Sequence, residues 1–427
     1  MLHTLTCSLR ASRLDGTIAC PASKSYTHRA IFAASLADGQ SSIRGALDSL
    51  DTRATAAACG AFGARVEGMG GGELTVDGCA APHAAEIDAG NSGTTIRMAA
   101  AVAALLPGTT RLTGDSSLRT RPMTPLLDTL ESLGAECESA GGTPPLSVRG
   151  PVRGGRASVA GGQSSQFTSA LLAAAPRMPD GLDLSIEGQA VSLPYVDATV
   201  AVMRRFGARV EERVPHESYS VAPRAYAPAR MGIPSDYSSA ALLLSASVLT
   251  GGSLAVSVDG AGLPQGDAAF AEMLRSMGVG VSDSRGTVTV SPPARLRGGS
   301  FCLSDTPDLL PPLAILSLRC RERLEITGIA HARAKETDRV AVMAEQLGRL
   351  GVRASQGDGS LLLWQDAAAP PRGADLDSHG DHRIFMALCI AGLCLGGTTV
   401  SGEASATVSY PRFAADLRAC GAAIGAA

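Results

Sequence analysis

The chain has 427 residues, a formal net charge of −3 at pH 7, and 45% hydrophobic but only 4% aromatic residues. This length allows two or more domains, whose cores must be built mainly from Leu, Val, Ile and Ala. The near-neutral charge argues against nucleic acid as the main partner. The longest apolar runs, such as residues 385–397, fall short of the ~20 residues of a membrane-spanning helix, and no signal peptide is visible. These features predict a soluble cytoplasmic protein without membrane contact.

The ten cysteines are scattered along the chain, with no CxxC pair. The Cys and His spacings of a zinc site are also missing. We therefore predict buried free thiols in a reducing compartment and no metal site.

The first predicted helix begins within PASKSYTHRAIFAASLADG, residues 21–39. Between Ser23 and Arg29 this stretch holds two cations, Lys24 and Arg29, and no acid. Because a helix N-terminus offers unpaired N–H groups and a positive dipole end, this pattern is typical of an anion site. Alternatively, Ser23 or Ser25 is only an N-cap and Arg29 is a solvated helix residue.

A helix, a glycine and a short strand follow one another six times along the chain. The glycines are spaced 71, 73, 71, 73 and 70 residues apart by subtraction, and they are Gly63, Gly134, Gly207, Gly278, Gly351 and Gly421. Each glycine is expected to end a helix in the left-handed conformation, and the alternation after it predicts a half-buried strand. The constant spacing predicts six units of about 70 residues, arranged in one ring or in two clusters of three.

Four more cationic motifs follow in chain order: GNSGTTIR (90–97), LRTRPMTP (118–125), HARAKETDR (331–339) and GDHR (380–383). Lys supplies a point charge and Arg a planar fork suited to carboxylate or phosphate, so the motifs together favour binding of small, highly charged anions. Each motif alone has a structural alternative. GNSGTTIR lacks a nucleotide-site fingerprint, HARAKETDR can be a salt-bridged helix start, and His382 can be a core histidine.

Two acids are candidates for moving protons. Asp308 lies in a polar turn before an apolar helix, where burial and nearby cations would compete over its pKa. Glu336 adjoins Lys335 in the densest charged motif. The structural alternatives are an acid at a helix N-terminus and a surface ion pair.

An ordered set of motifs resembles that of the EPSP synthase (3-phosphoshikimate 1-carboxyvinyltransferase) family. The motifs span residues 17 to about 415 and include GTIACPASKSYTHRAIFAASLADG, DAGNSGTTIRM, LTGDSSLRTRPM, GGQSSQFTSALL, SLPYVD, DYSSAALLL, QGD, TPDLLP, KETDRV and GDHRIFMAL. The resemblance implies a two-lobed, inside-out α/β barrel-like fold, with three βαβαββ units in each lobe. It places residues 1–20 and 232–427 in a C-terminal lobe and 21–231 in an N-terminal lobe, hinged at two crossover segments.

The resemblance also implies an activity. The family transfers the enolpyruvyl group of phosphoenolpyruvate to the 5-hydroxyl of 3-phosphoshikimate, releases phosphate, and serves chorismate and aromatic amino acid biosynthesis. Two phosphates and two carboxylates must meet, and their mutual repulsion explains the need for many cations. No cofactor is implied, because phosphoenolpyruvate already carries the reactive group. A monomer is expected, with glyphosate as an inhibitor on the phosphoenolpyruvate side.

The family's roles can be carried over residue by residue. The residues expected to hold 3-phosphoshikimate are Lys24, Ser25, Arg29, Ser164, Ser165, Gln166, Ser192, Asp308, His331 and Lys335. The residues expected to hold phosphoenolpyruvate are Lys24, Gly93, Arg121, Gln166, Arg339 and Arg383. The expected catalytic residues are Asp308 as the proton acceptor from the attacking hydroxyl, Glu336 as the proton donor to the methylene carbon, and Lys24 between the substrates. Surrounding positions are expected for Asn91, Arg97, Tyr195 and His382.

Two positions depart from the family pattern. His331 stands where many members have Asn, and Val408 stands where some carry a Lys on phosphoenolpyruvate. We therefore expect the first contact to be altered or supplied by imidazole, and we leave the second unassigned.

Two rival interpretations have distinguishing features. The sister enolpyruvyl transferase acting on UDP-N-acetylglucosamine needs a cysteine in the loop matching RTRPMTP, and the nearest downstream thiol here is Cys137. A non-enzymatic repeat protein that binds anionic metabolites would not need Asp308, Glu336 or Lys24, and all three are present.

Overall fold

A computed structural model describes residues 6–79, 81–366 and 368–426 of the chain. The described residues fall into two compact units. One, called here the N-terminal unit, comprises Ala22–Pro234 and Ala261–Pro264. The other, the C-terminal unit, comprises the described residues of Met1–Pro21, Ser235–Gly260 and Gln265–Ala427.

The described part of the chain contains short strands and helices in alternation. The strands are β1 Thr6–Leu9, β2 Gly16–Ala19, β3 Gln40–Arg44, β4 Arg65–Glu67, β5 Glu73–Asp77, β6 Glu86–Asp88, β7 Thr109–Thr113, β8 Glu136–Ser139, β9 Leu146–Arg149, β10 Gly155–Ala160, β11 Leu182–Glu187, β12 Val210–Val214, β13 Ser218–Val221, β14 Arg230–Gly232, β15 Leu254–Ser257, β16 Gly280–Ser284, β17 Thr287–Ser291, β18 Gly299–Cys302, β19 Leu324–Thr327, β20 Val352–Gly357, β21 Ser360–Gln365, β22 Asp375–Asp377, β23 Thr398–Ser401 and β24 Ile424–Ala426. The helices are α1 Lys24–Ser35, α2 Leu50–Ala61, α3 Gly93–Ala103, α4 Thr124–Ser132, α5 Ser165–Ala174, α6 Pro194–Arg205, α7 Tyr237–Thr250, α8 Phe270–Ser276, α9 Leu310–Ile315, α10 Arg339–Arg349, α11 His382–Leu395 and α12 Phe413–Ala419.

Each unit contains three four-stranded sheets within its described residues, and all six sheets share one pairing order. In every sheet, in the order given below, the first two strands are parallel to each other. The third and fourth strands each run antiparallel to the strand before them. The N-terminal unit holds β14-β3-β5-β4, β6-β7-β9-β8 and β10-β11-β13-β12. The C-terminal unit holds β2-β15-β17-β16, β18-β19-β21-β20 and β22-β23-β1-β24.

Two strands pair far from their neighbours in sequence. Strand β2 precedes α1 but pairs in parallel with β15, and β14 precedes α7 but pairs in parallel with β3. The chain therefore passes between the two units after β2 and again after β14. These exchanges could not be predicted from local pattern, because either strand would satisfy its alternation in several sheets.

The predicted glycine turns are confirmed. All six glycines follow an even-numbered helix, from α2 to α12, and have φ between 83° and 110°. A short strand follows each of them. A side chain would be strained in this left-handed conformation, which is why glycine recurs there.

The most deeply buried helices are odd-numbered, and none of them precedes one of the six recurring glycines. Helices α1, α3 and α5 bury 10 of 12, 10 of 11 and 8 of 10 residues. In the C-terminal unit, α7 and α11 each bury 12 of 14 residues. Because these helices are buried on nearly all sides, they lie inside the core rather than on its surface, although α1 carries buried polar side chains such as His28 and Arg29.

The cysteines are all free, and six of the ten are buried. Three others are half-buried, and Cys302 is exposed, so the prediction of a buried thiol is wrong there. None of the helices in the described part of the chain has both the length and the apolar character needed to cross a bilayer.

Candidate active site

The predicted site residues lie at turns from strand to helix. In the N-terminal unit, Lys24, Gly93 and Ser165 are the first residues of the buried helices α1, α3 and α5. The residue before each is the N-cap, and its side chain accepts a hydrogen bond from the helix backbone. For Ser164 the donor is the N–H of Gln166, at 3.2 Å. The N-cap alternative for Ser23 is confirmed, and it is compatible with anion binding by the remaining N–H groups.

The protein buries few of its arginines. Among the described residues, five arginines have a relative exposure of 5% or less, and these are Arg29, Arg97, Arg121, Arg339 and Arg383. All five belong to the predicted cationic motifs, whereas Arg119 of the same motif as Arg121 is exposed. Burying a guanidinium group costs free energy. These five arginines therefore have a role other than keeping the protein soluble.

Two of these arginines surround Gly93. A β-carbon at Gly93 would lie 3.1 Å from the Nη1 atoms of both Arg97 and Arg121. Arg97 Nη1 donates a hydrogen bond to Gln166 Oε1 at 2.5 Å, and Arg121 Nη2 donates to Asn91 Oδ1 at 2.8 Å. The structure thus brings together five residues that the sequence analysis selected from three motifs, at the start of α3.

Arg29 is held within the protein rather than solvated. Its Nε donates to Thr199 Oγ1 at 2.7 Å, and its Nη atoms donate to the backbone oxygens of Ser25 and Tyr195 at 2.9 and 3.0 Å. Burial lowers the pKa of Arg29 to about 10, which leaves it charged at neutral pH. The alternative of a solvated Arg29 is therefore wrong.

Ser192 has an unusual backbone. Its φ is 57°, a left-handed conformation that is uncommon for residues other than glycine. Its buried Oγ has no hydrogen-bond partner within the described residues. The adjacent Val191 N–H donates to the Gly161 oxygen at 3.3 Å, which brings this turn to the loop that precedes Ser164. Strain and an unpartnered hydroxyl are typical of a ligand-binding turn.

Sequence reasoning missed Asp51. Lys24 Nζ lies 2.8 Å from Asp51 Oδ2, and both side chains are largely buried, with 14% and 7% exposure. The motif around Lys24 contains no acid, but Lys24 is not without a counter-charge, because Asp51 of α2 supplies one. In sequence, Asp51 looks like an ordinary acid in the first turn of a helix, which favours that position anyway.

In the C-terminal unit, a single guanidinium joins three carboxylates. Arg339, the first residue of α10, donates from Nε to Asp381, from Nη1 to Asp308 and from Nη2 to Glu336, each at 2.7 Å. Arg339 is 1% exposed, so the pairs are buried. The surface-pair alternative for Glu336 is wrong, since its side chain is only 13% exposed.

Asp308 lies between two cations. Its other oxygen, Oδ2, is 2.8 Å from Arg383 Nη2. Burial alone would raise the pKa of Asp308, but the charges of Arg383, Arg339 and Lys335 together hold it well below the ordinary carboxyl value. The cations therefore outweigh the effect of burial on the pKa of Asp308, and its carboxyl group is ionised at neutral pH.

Two further acids escaped the sequence analysis. Asp381 is fully buried and caps α11 by accepting from the N–H groups of Arg383 and Ile384. Asp267 is buried near this cluster and accepts a hydrogen bond from Ser238 Oγ. Burial and the charge of Asp308 raise the pKa of Asp267 to about 7. The motifs GDHR and QGD contained both acids, but nothing in the sequence distinguished them from turn residues.

The remaining predicted residues of this unit also lie near the cluster or inside the core. Burial and the charge of Lys335 lower the pKa of His331 to about 4, so its imidazole is neutral. His382 is buried at the start of α11. Val408 is buried in a short 3₁₀ helix.

The chain matches the family described as EPSP synthase (3-phosphoshikimate 1-carboxyvinyltransferase) over residues 10–417. The chain belongs to the EPSP synthase family. A relative named 3-phosphoshikimate 1-carboxyvinyltransferase from Nitrosopumilus maritimus is 44% identical over 98% of this chain and 99% of its own length. The relative of the same name from Methanothermobacter thermautotrophicus is 41% identical over 95% of both chains.

Solved structures of EPSP synthases share the α/β fold. That of EPSP synthase from Acinetobacter baumannii aligns with a TM-score of 0.82 and 26% identity, and covers 99% of this chain and 100% of that one. The enolpyruvyl transferase NikO from Streptomyces tendae, at 21% identity and a TM-score of 0.79, shows the same fold. The resemblance read from the motifs is therefore confirmed at the level of family and fold class.

Proposed function

We propose that this chain transfers the enolpyruvyl group of phosphoenolpyruvate to the 5-hydroxyl of 3-phosphoshikimate, giving 5-enolpyruvylshikimate 3-phosphate and phosphate. The observation that carries the proposal is the coincidence of the five buried arginines with the family's anion-binding motifs. Two multiply charged substrates need such cations to overcome their mutual repulsion. The product serves chorismate and aromatic amino acid biosynthesis.

Residues of the N-terminal unit bind both anions in this proposal. The start of α3, with Gly93 and Arg121, holds phosphoenolpyruvate, since only a residue without a side chain leaves room between Arg97 and Arg121. Ser164, Ser165 and Ser192 hold the phosphate of 3-phosphoshikimate through hydroxyls and helix N–H groups. Ser25 and Arg29 bind its carboxylate side, Gln166 lies against its ring, and Lys24 reaches both substrates.

The roles proposed for residues of the C-terminal unit are phosphoenolpyruvate binding and proton transfer. Arg339 and Arg383 bind phosphoenolpyruvate, and Asp308 takes the proton of the attacking hydroxyl. A carboxylate with a strongly lowered pKa is a weak base. The negative charge of phosphoenolpyruvate beside Asp308 would raise that pKa again, so substrate binding itself strengthens the base.

In this proposal Glu336 donates a proton to the methylene carbon, and it must first take up that proton, because in the structure it accepts a hydrogen bond from Arg339 as a carboxylate. Its bond to Arg339 places it on the same guanidinium as Asp308. Lys335 and His331 hydrogen-bond the 3-phosphoshikimate side. Because the pKa of His331 is lowered to about 4, the imidazole contributes a neutral donor or acceptor, as the usual Asn would.

The six sheets support a finer description of the fold. We infer that they are six copies of one βαβαββ unit, since they share one pairing order and one glycine turn each. Several other statements stay predictions from the family. They are the inside-out barrel arrangement, the hinge at the crossovers, the monomeric state, the cytoplasmic location and the lobe limits at residues 20, 21, 231 and 232.

Phosphate release from phosphoenolpyruvate tests the function directly. We expect release only when 3-phosphoshikimate is present, and none with UDP-N-acetylglucosamine in its place. The enzyme that uses UDP-N-acetylglucosamine needs a cysteine in the loop matching RTRPMTP. The nearest downstream thiol here, Cys137, lies instead in β8, and burial raises its pKa to about 12. Release that is independent of 3-phosphoshikimate, or no release at all, would contradict the proposal.

Variants within one motif provide a matched control. Arg121→Ala should reduce kcat/KM by about 100-fold, because a charge-assisted bidentate contact is lost. Arg119→Ala, two residues away and exposed, should leave kcat/KM within about threefold. Asp308→Ala and Lys24→Ala should each abolish most turnover. Near-normal turnover in either would refute its assigned role.

Glyphosate inhibition is a separate proposal. The missing side chain at Gly93 leaves room for this analogue on the phosphoenolpyruvate side, whereas a β-carbon there would crowd Arg97 and Arg121. We expect inhibition competitive with phosphoenolpyruvate in steady-state assays. Inhibition that phosphoenolpyruvate does not relieve would contradict it.

A further inference from the structure

A chain of buried hydrogen bonds links three helices of the N-terminal unit. His28 Nδ1 on α1 lies 2.6 Å from Thr55 Oγ1 on α2, which lies 2.6 Å from Thr95 Oγ1 on α3. Thr95 Oγ1 donates in turn to Ser92 Oγ at 2.7 Å. All four residues are fully buried. We call this set the His28–Ser92 chain.

The direction of the bonds follows from counting protons. Each hydroxyl has one proton, so Thr95, which donates to Ser92, accepts from Thr55, and Thr55 accepts from His28 Nδ1–H. Burial, together with the charges of Lys24 and Arg29, lowers the pKa of His28 well below its ordinary value. His28 is therefore a neutral imidazole with its proton on Nδ1, which serves as a fixed donor.

We propose that the His28–Ser92 chain positions the start of α3, and with it Gly93, relative to α1 and α2. The inference rests on the proposed function, because it assigns the positioned groups to phosphoenolpyruvate. Ser92 is the N-cap of α3, and Gly93 follows it directly. Lys24 begins α1, and Asp51, its ion-pair partner, lies on α2. The chain thus links the three helices that carry these groups.

Apolar packing alone would position α3 less well. Residues 99–101 and 103 of α3 are buried alanines, and their contacts are non-directional, so a slide of a few tenths of an ångström costs little. Hydrogen bonds of 2.6–2.7 Å are directional and restrict such a slide. Since the chain ends at Ser92, directly before Gly93, it should act on phosphoenolpyruvate more than on 3-phosphoshikimate.

The test compares Thr95→Val with Thr95→Ser. The valine is of similar size but breaks two bonds of the chain, so we expect the KM for phosphoenolpyruvate to rise about tenfold. The KM for 3-phosphoshikimate should change by less than about threefold, because its proposed ligands lie mainly on other turns. Thr95→Ser retains the hydroxyl and should restore both values to within about twofold of the wild type.

A double variant and a control separate positioning from stability. Thr55→Val combined with Thr95→Val should raise the KM for phosphoenolpyruvate no further than either single change, because one chain is broken in each case. Thr129 is a buried threonine of the same unit, whose Oγ1 lies 2.8 Å from the backbone oxygens of both Pro125 and Ser158 and shares its one proton between them. Thr129→Val should lower the melting temperature and leave the ratio of the two KM values unchanged.

The outcomes distinguish this inference from the proposed function. A wild-type protein that releases no phosphate with both substrates overturns the proposed function, and the inference with it. An active wild type whose Thr95→Val variant shifts both KM values equally, or whose Thr95→Ser variant fails to restore them, overturns the inference alone. If Thr95→Val does not fold, Thr55→Val serves as the readout, with the same expected KM ratio.

Discussion

Replacing Gly93 by alanine tests the closest packing at the proposed phosphoenolpyruvate site. The new β-carbon would lie 3.1 Å from Nη1 of Arg97 and of Arg121, and 3.5 Å from Gln166 Oε1. An unstrained contact is ~3.5 Å or longer, so the two guanidinium groups must each retreat by about 0.4 Å. Both are ends of flexible side chains, and the first residue of a helix tolerates alanine. The fold should therefore be retained while the site changes.

The magnitude follows from the contact that is displaced. A hydrogen bond to a charged group contributes ~1.5–3 kcal/mol, and the retreat of Arg121 should lose between half and all of one such bond. A loss of ~1–3 kcal/mol corresponds to a rise in the KM for phosphoenolpyruvate of roughly 5- to 150-fold. The KM for 3-phosphoshikimate should change much less, because its proposed hydroxyl ligands are not displaced.

Steady-state phosphate release, with each substrate varied in turn, measures both KM values. Gly60→Ala is the matched control, since a β-carbon there meets no atom within 4 Å on the surface of α2. That change should leave both KM values unaltered and stabilise the helix by ~0.5–1 kcal/mol. An unchanged KM for phosphoenolpyruvate in Gly93→Ala would refute the assignment of this ligand to the start of α3.

Three further predictions concern the carboxylate cluster of the C-terminal unit. Asp308→Asn keeps the shape of the side chain but not its basicity, and should reduce turnover by ~10²–10⁴-fold in the phosphate assay; activity within about threefold of the wild type would contradict its role as the base. Arg339→Lys keeps one charge but cannot reach all three acids, and because Asp381 is fully buried the free energy of unfolding should fall by ~3–5 kcal/mol in denaturant titrations. The pKa of Asp267 is raised to about 7, so the folded protein keeps a proton that the unfolded chain loses, and stability falls as the pH rises from about 4 to about 7. Asp267→Asn removes this dependence, so its melting temperature relative to the wild type should be higher at about pH 8 than at about pH 5, and a pH-independent difference would contradict the raised pKa.

Local features were predictable from the sequence, because the interactions that decide them span only a few residues. The left-handed glycines, a helix that begins within residues 21–39 and the five cationic motifs are all predictable from the sequence. The turn conformation needs a residue without a β-carbon, and a helix start needs a capping side chain. Each can therefore be recognised from the residue types at and next to it in the sequence. Even the family could be identified from such segments, since they recur in one order along the chain.

Only the tertiary structure decided how these groups are paired and charged. Lys24 meets Asp51 across 27 positions, Arg339 meets Asp381 across 42, and Arg29 meets Thr199 across 170. No local rule selects one acid or hydroxyl from the many that a sequence offers at such distances. The pKa values of Asp308 and Asp267 move in opposite directions for the same reason, since burial and neighbouring charge exist only once the chain has folded.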